Sequence, residues 1–173
     1  AQDNARTDIG LSAFSFAQHI LREHGVDVVP SGALHLAFNA EKENKLRKIH
    51  DSGFFLDPVA TWISANESQA LCGLSLPYER IFYPGAGTVC TRATVQNMLA
   101  SASVSYHTPW SEDVVSDNPV ILCNGLALRD SLALPLQPVR GQVLYVDAPR
   151  KLSCPVMFGH YCAPVNDTTW TLG

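Results

Sequence analysis

The sequence predicts an α+β fold, a mixed and mostly antiparallel sheet with helices packed on one side. Two observations lead there. Short apolar runs, some alternating with period two, recur between Gly, Pro and Asn signals in the manner of strands. Between them lie stretches whose apolar residues recur at three and four, as on amphipathic helices. With 173 residues, 46% of them hydrophobic, the chain is long enough for one domain, 1–173, with its own core.

Ala1 to Gly10 is polar and without periodicity, and reads as a surface lead-in. Leu11, Phe14, Ala17, Ile20 and Leu21 fall on one side of a helix from Leu11 to His24, which Gly25 is placed to end. His19 and His24 have no partner in the pattern and read as surface residues. In Ala33 to Phe38, Leu34, Leu36 and Phe38 alternate with Ala33, His35 and Ala37, a strand with one well-buried face. Ala40 to Gly53 follows as a charged, exposed helix in which Glu41 and Lys45 stand four apart. Ser64 and Glu67 have the spacing of a capping box, ahead of a short helix through Ala70 and Leu71 that Gly73 closes.

Arg80 to Val89 reads as strand, Pro-Gly turn, strand. Gly85 and Gly87 invite a phosphate-loop reading, but the dinucleotide fingerprint needs a third glycine where Cys90 stands. The turn instead feeds a helix from Thr91 to Ala102, with Thr91 as N-cap and Val95, Met98 and Leu99 inward. Ser103 to Asn118 is polar and carries Pro109 and Trp110. Val120 to Cys123 is an apolar run that stops at Asn124-Gly125, a strand buried on both faces; Val143 to Val146, after Arg140-Gly141-Gln142, is a second. Glycine after a strand opens positive φ and lets a bulky group lie against the main chain, although a single glycine more commonly just turns the chain. Val156 to Val165 and Thr168 to Gly173 read as two strands of a hairpin around Asn166-Asp167.

Composition narrows the function classes. Twelve basic residues against 16 acidic ones give a formal net charge of −4, so the chain has no global attraction to nucleic acid, and any such surface would be local. No apolar stretch approaches the roughly 20 residues of a membrane span and no charged-then-apolar leader begins the chain, so the expectation is a soluble, cytoplasmic protein. Cys72, Cys90, Cys123, Cys154 and Cys162 form an odd set with no CxxC pair and no histidine at ligand spacing. They read as reduced, mostly buried residues with no metal; whether Cys154 and Cys162 approach each other is open. No GxSxG elbow, HExxH helix or Walker loop is present.

Several of these pieces resemble the FAD-dependent amine and amino-acid oxidoreductases of the D-amino-acid oxidase type. ILCNG at Ile121 to Gly125 is similar to the family's strand and (A/C)-(N/T)-G turn, and PVRGQV at Pro138 to Val143 to its P-V-x-G-Q segment. The helix beginning LSAFSFA, the strand ending in Leu36-Ala37 and the Leu71 to Leu74 helix end also match. Thr91 stands where the family usually has proline, and the interval 103–118 is shorter than the strands usual there. Within the group the likeness is strongest to the C-terminal oxidoreductase part of the bifunctional tRNA-modifying enzymes.

The resemblance implies the substrate domain of a longer flavoprotein, with residues 119–146 forming strands that adjoin the FAD domain. The N-terminal GxGxxG motif that holds FAD is absent from this chain, so FAD belongs to the intact protein. It implies Asn124, Gly125, Gly141 and Gln142 beside the flavin, and Arg140, Gln142 and Tyr161 toward the substrate. The implied reaction is oxidation of a C–N bond, removing the carboxymethyl group from carboxymethylaminomethyl-uridine in a tRNA anticodon. A small-molecule amine or D-amino-acid oxidase of the glycine oxidase kind is the alternative, favoured by the net acidity, and a non-catalytic binding fragment is a third.

Overall fold

The structure, a computed structural model, describes residues 2–53, 59–107, 119–123, 125–148 and 150–173. The chain divides into two compact units, Ala1–Ser101 with Val143–Gly173, and Ala102–Gln142.

The first unit opens with α1 (Gln2–Glu23), which starts well before Leu11: the polar lead-in is helical. Residues such as Gln2, Ala5 and Arg6 sustain a helix without an apolar stripe, and periodicity alone does not register them. Gly25, at φ +66°, ends the helix as expected, and the Val26 amide donates back to the Leu21 carbonyl (2.8 Å). Then come β1 (Val28–Val29) and β2 (Ala33–Ala37). Asn39 caps α2 (Ala40–Asp51) by accepting from the Lys42 amide at 2.9 Å.

After β3 (Thr61–Ile63) the predicted capping box appears in full: Ser64 accepts from the Glu67 amide, and Glu67 accepts from the Ser64 amide, at the start of α3 (Ala65–Cys72). Gly73 closes α3 in the left-handed region at φ +82°. β4 (Glu79–Tyr83) and β5 (Thr88–Val89) flank the Pro84-Gly85 turn but join different sheets, since β5 pairs with β1. Gly87 is glycine because a Cβ there would overlap the Val29 carbonyl across that small sheet.

In α4 (Thr91–Met98) the N-cap is Cys90, without a side-chain bond, and Thr91 is the first helical residue. Thr94 supplies the hydroxyl contact, donating to the Cys90 carbonyl at 2.9 Å. Val95, Met98 and Leu99, expected inward, are exposed, because no element of the described residues covers that side of α4. Within the second unit, α5 (Ala127–Leu132) follows Gly125. Val120 to Cys123 is not a strand, and Ile121 is 85% exposed. A strand exists by pairing, and among the described residues nothing pairs with this run.

The first unit is completed by β6 (Leu144–Asp147), β7 (Val156–Met157), β8 (Tyr161–Pro164) and β9 (Thr169–Leu172). β6 forms as predicted, although Leu144 and Tyr145 are exposed. β8 and β9 make the predicted hairpin, and Gly159, at φ +89°, breaks the Val156 to Val165 run into β7 and β8. The main sheet runs β3-β4-β2-β7-β8-β9-β6, antiparallel throughout except between β2 and β7. This is the expected α+β class with its mixed, mostly antiparallel sheet. Strand alternation assigns the two faces. Leu34, Leu36, Ile63, Val156 and Cys162 form one core with Cys72 of α3, whereas Ala37 and Ile81 form a second with Leu46 of α2.

Candidate functional site

Pairing in the main sheet sets one row of residues across a single face. Trp62 lies opposite Ile81, Ile81 opposite His35, His35 opposite Met157 and Met157 opposite Tyr161. Tyr161 then exchanges two backbone hydrogen bonds with Gly173, at 2.8 and 3.1 Å. The tyrosine ring occupies the space over that glycine: a Cβ on Gly173 would stand 2.5 Å from it. Tyr161 keeps 39% of its surface exposed, so its side chain is accessible while its backbone is held in the sheet. Met157, the next residue of the row, also lines an apolar cleft of about 700 Å³ with Leu11, Phe14, Tyr83 and Gly85. Gln18 holds α1 to this region by donating to the Gly85 carbonyl at 2.9 Å.

His35 was not singled out in the sequence, although alternation in ALHLAF sets it on the face opposite Leu34 and Leu36. Its pKa is lowered, first by burial and then by Lys45 and Lys42. Burial raises the phenol of Tyr83 at the cleft. Beyond β2, Arg47 stacks over Trp62 at 4.6 Å while the Trp62 indole donates to Glu79 at 2.7 Å.

Arg80 also escaped sequence reasoning. It points to the other face, is 1% exposed, and donates to the Ser68 hydroxyl and the Leu76 carbonyl, while its Nε has no partner. Burial lowers its pKa, with Cys72 and Glu79 acting the other way. Cys72, Cys154 and Cys162 are buried as expected, but Cys90 and Cys123 are exposed; all five are free thiols. Burial, reinforced by Cys72, pushes the Cys154 thiol up to about 12. Among the described residues there is no cluster able to hold a metal ion.

The remaining site residues belong to the second unit. Asn124 lies outside the described residues. Gly125 adopts φ +57°, the left-handed conformation that favours glycine. It lines a cleft of about 630 Å³ with Leu122 and Cys123 on one side and Leu136 and Pro138 on the other. The fold therefore brings the segment before Gly125 against the one that leads into Arg140, Gly141 and Gln142. Those three are exposed. A Cβ at Gly125 or Gly141 would meet nothing within 4 Å, so bare main chain is presented at both. At Gly141 this bare backbone adjoins the polar side chain of Gln142 in sequence.

Residues 2–173 match the family model described as FAD dependent oxidoreductase, DAO, and the chain belongs to that family. It is 27% identical over 165 residues to the tRNA 5-methylaminomethyl-2-thiouridine biosynthesis bifunctional protein MnmC of Pseudomonas fluorescens strain Pf0-1, covering 83% of this chain and 25% of that protein. MnmC of Pseudomonas putida strain W619 is 25% identical over 198 residues, covering 100% of this chain and 30% of its own length. The alignment spans 198 positions against 173 residues here, so at least 25 have no counterpart in this chain. Among solved structures the fold resembles glycine oxidase from Geobacillus kaustophilus (TM-score 0.67, 18% identity, 98% of this chain and 54% of that one). Glycine oxidase from Bacillus cereus ATCC 14579 is also similar (TM-score 0.61, 16% identity, 96% and 56%). The chain thus spans under a third of the curated relatives' length.

Proposed function

We propose that this chain is the substrate-domain part of an FAD-dependent oxidoreductase that removes the carboxymethyl group from carboxymethylaminomethyl-uridine in tRNA. The observation that carries the reading is the alignment of the whole chain with the tRNA-modifying MnmC of Pseudomonas putida. Bound FAD would supply the hydride acceptor for the carbon beside the substrate nitrogen, and water added to the resulting imine would release the two-carbon group as an aldehyde acid with the amine left on the uridine.

This chain's own residues position and recognise. Gly125 and Gly141 leave room against the main chain, with Asn124 beside the first, and the Gln142 amide is a donor and acceptor for ring edges or substrate. Arg140 is suited to a bidentate pair with the departing group's carboxylate. Tyr161 forms the substrate wall, its ring set over Gly173. The segment 119–146, whose end enters β6, adjoins the FAD domain in this reading, and a tRNA substrate assigns the protein to the cytoplasm. Among the described residues, no helix is long and apolar enough to cross a membrane.

A glycine oxidase-like activity on a small amine is the second reading, favoured by the net charge of −4. The test is the protein from its complete reading frame, saturated with FAD under anaerobic conditions. Bleaching of the flavin band by tRNA carrying carboxymethylaminomethyl-uridine, and not by glycine, is the expected result. Bleaching by glycine alone favours the second reading, and failure to take up FAD at all refutes both.

A further inference from the structure

Helix α2 has two differently charged flanks. On the flank toward β3, Arg47 stacks on Trp62 and pairs with Glu43 at 2.9 Å and Glu79 at 3.7 Å, while His50 meets Asp51 at 3.2 Å and Trp62 edge-on. Those carboxylates are engaged with partners on that side. Lys42 and Lys45 lie on the other flank, close enough to His35 of β2 to act on its charge. Lys48 continues the series at the same three-residue spacing, one turn further along. Among the described residues none of the three lysines has an ion-pair partner, and Glu41, four residues before Lys45, forms no bridge with it.

These three are all but one of the chain's four lysines. Strand order gives the flank its direction: β2 is followed by β7 and then β8, and the row from His35 passes through Met157 to Tyr161. Ammonium groups without an ion-pair partner among the described residues therefore border the same sheet face that carries the exposed tyrosine. A net-acidic protein has no general attraction for a polyanion, so a concentrated basic edge is where such attraction would act.

We propose that Lys42, Lys45 and Lys48 contact phosphates of the RNA substrate and align it along the face bearing Tyr161. This rests on the tRNA reading above. Lysine ammonium groups bind phosphates as point charges, so they supply affinity and orientation and leave sequence discrimination to other residues.

The test is binding of an unmodified tRNA transcript by the full chain as a function of salt, comparing wild type, the triple variant Lys42→Gln/Lys45→Gln/Lys48→Gln, and Arg47→Gln. Glutamine is a good helix former, and circular dichroism will verify that the variants are folded. Each lost phosphate contact lowers the slope of log affinity against log salt by about 0.7–0.9, so the triple variant should lose about 2.1–2.7 in slope and roughly tenfold or more in affinity near 0.1 M salt. Arg47→Gln should keep the wild-type slope. Wild-type binding with an unchanged triple variant overturns this proposal and leaves the tRNA reading standing. A wild type that does not bind tRNA at all overturns both.

Discussion

Replacing Arg80 by methionine should leave the fold intact and at least as stable as the parent. The guanidinium is 1% exposed, and among the described residues no carboxylate forms an ion pair with it. Its two hydrogen bonds, to Ser68 and Leu76, contribute about 1.5–3 kcal/mol each at best, since one partner of each is charged. Against them stand a charge-burial cost of several kcal/mol and an unpartnered Nε that costs about 1–3 kcal/mol more. Methionine keeps most of the volume among Leu36, Ile63 and Cys72 and contributes about 1.5–3 kcal/mol of apolar burial. Ser68 still donates to the Ala65 carbonyl at 2.9 Å, so only the Leu76 carbonyl loses its partner. The sum lies between neutrality and about 2 kcal/mol of stabilisation. Arg80→Ala, which also opens a cavity, should cost about 3 kcal/mol. Urea unfolding followed by circular dichroism measures both. A loss above about 3 kcal/mol in Arg80→Met would refute the reasoning, because it would mean the buried charge is compensated by more than the two bonds.

Three further outcomes are open to measurement. Gly87→Ala should destabilise by about 3 kcal/mol, since its methyl would overlap the Val29 carbonyl; a thermal midpoint unchanged from the parent would contradict that packing. Ser64→Ala removes half of the capping box and should cost about 1 kcal/mol in chemical denaturation, against no measurable change if the box were incidental. Cys154 is a buried thiol whose pKa burial pushes up from the ordinary value of 9.0 to about 12 in the folded chain. The unfolded chain therefore releases this proton first, and stability should fall by about 1.4 kcal/mol per pH unit as pH rises from 9.0 toward 12. Cys162 and Tyr83 shift in the same direction, so Cys154→Ala should make the alkaline slope shallower without abolishing it; an identical slope would count against the assignment.

The parts of the fold legible in the sequence are those decided within a few residues. The Ser64 and Glu67 box, the left-handed Gly73 and Gly25 ends and the Asn166-Asp167 hairpin are all short-range events. What was not legible depends on partners far along the chain. Val120 to Cys123 has strand composition, yet composition cannot supply a neighbour to pair with. Val95, Met98 and Leu99 form a helical stripe, but the stripe becomes an inward face only where another element covers it. Arg80 looks like any strand arginine until β4 is set beneath α3. At the candidate site, Gly125 announced its backbone through the residues before it, whereas the alignment of Tyr161 with Met157 and His35 is a matter of register between distant strands.

Gly173 bears on that register. Alternation of apolar and polar residues distinguishes odd slips from even ones, because an odd slip turns every side chain to the wrong face. Sliding β9 by two residues along β8 preserves the faces and would bring Thr171 opposite Tyr161, where Gly173 now lies; in the observed pairing Thr171 faces Ala163. The ring of Tyr161 leaves no space for a Cβ at that place. The observed pairing is thus the one that lets the ring lie where it does, since a Cβ opposite it would turn the ring away. The side chain proposed to face the substrate thus also favours the alignment of the hairpin that carries it.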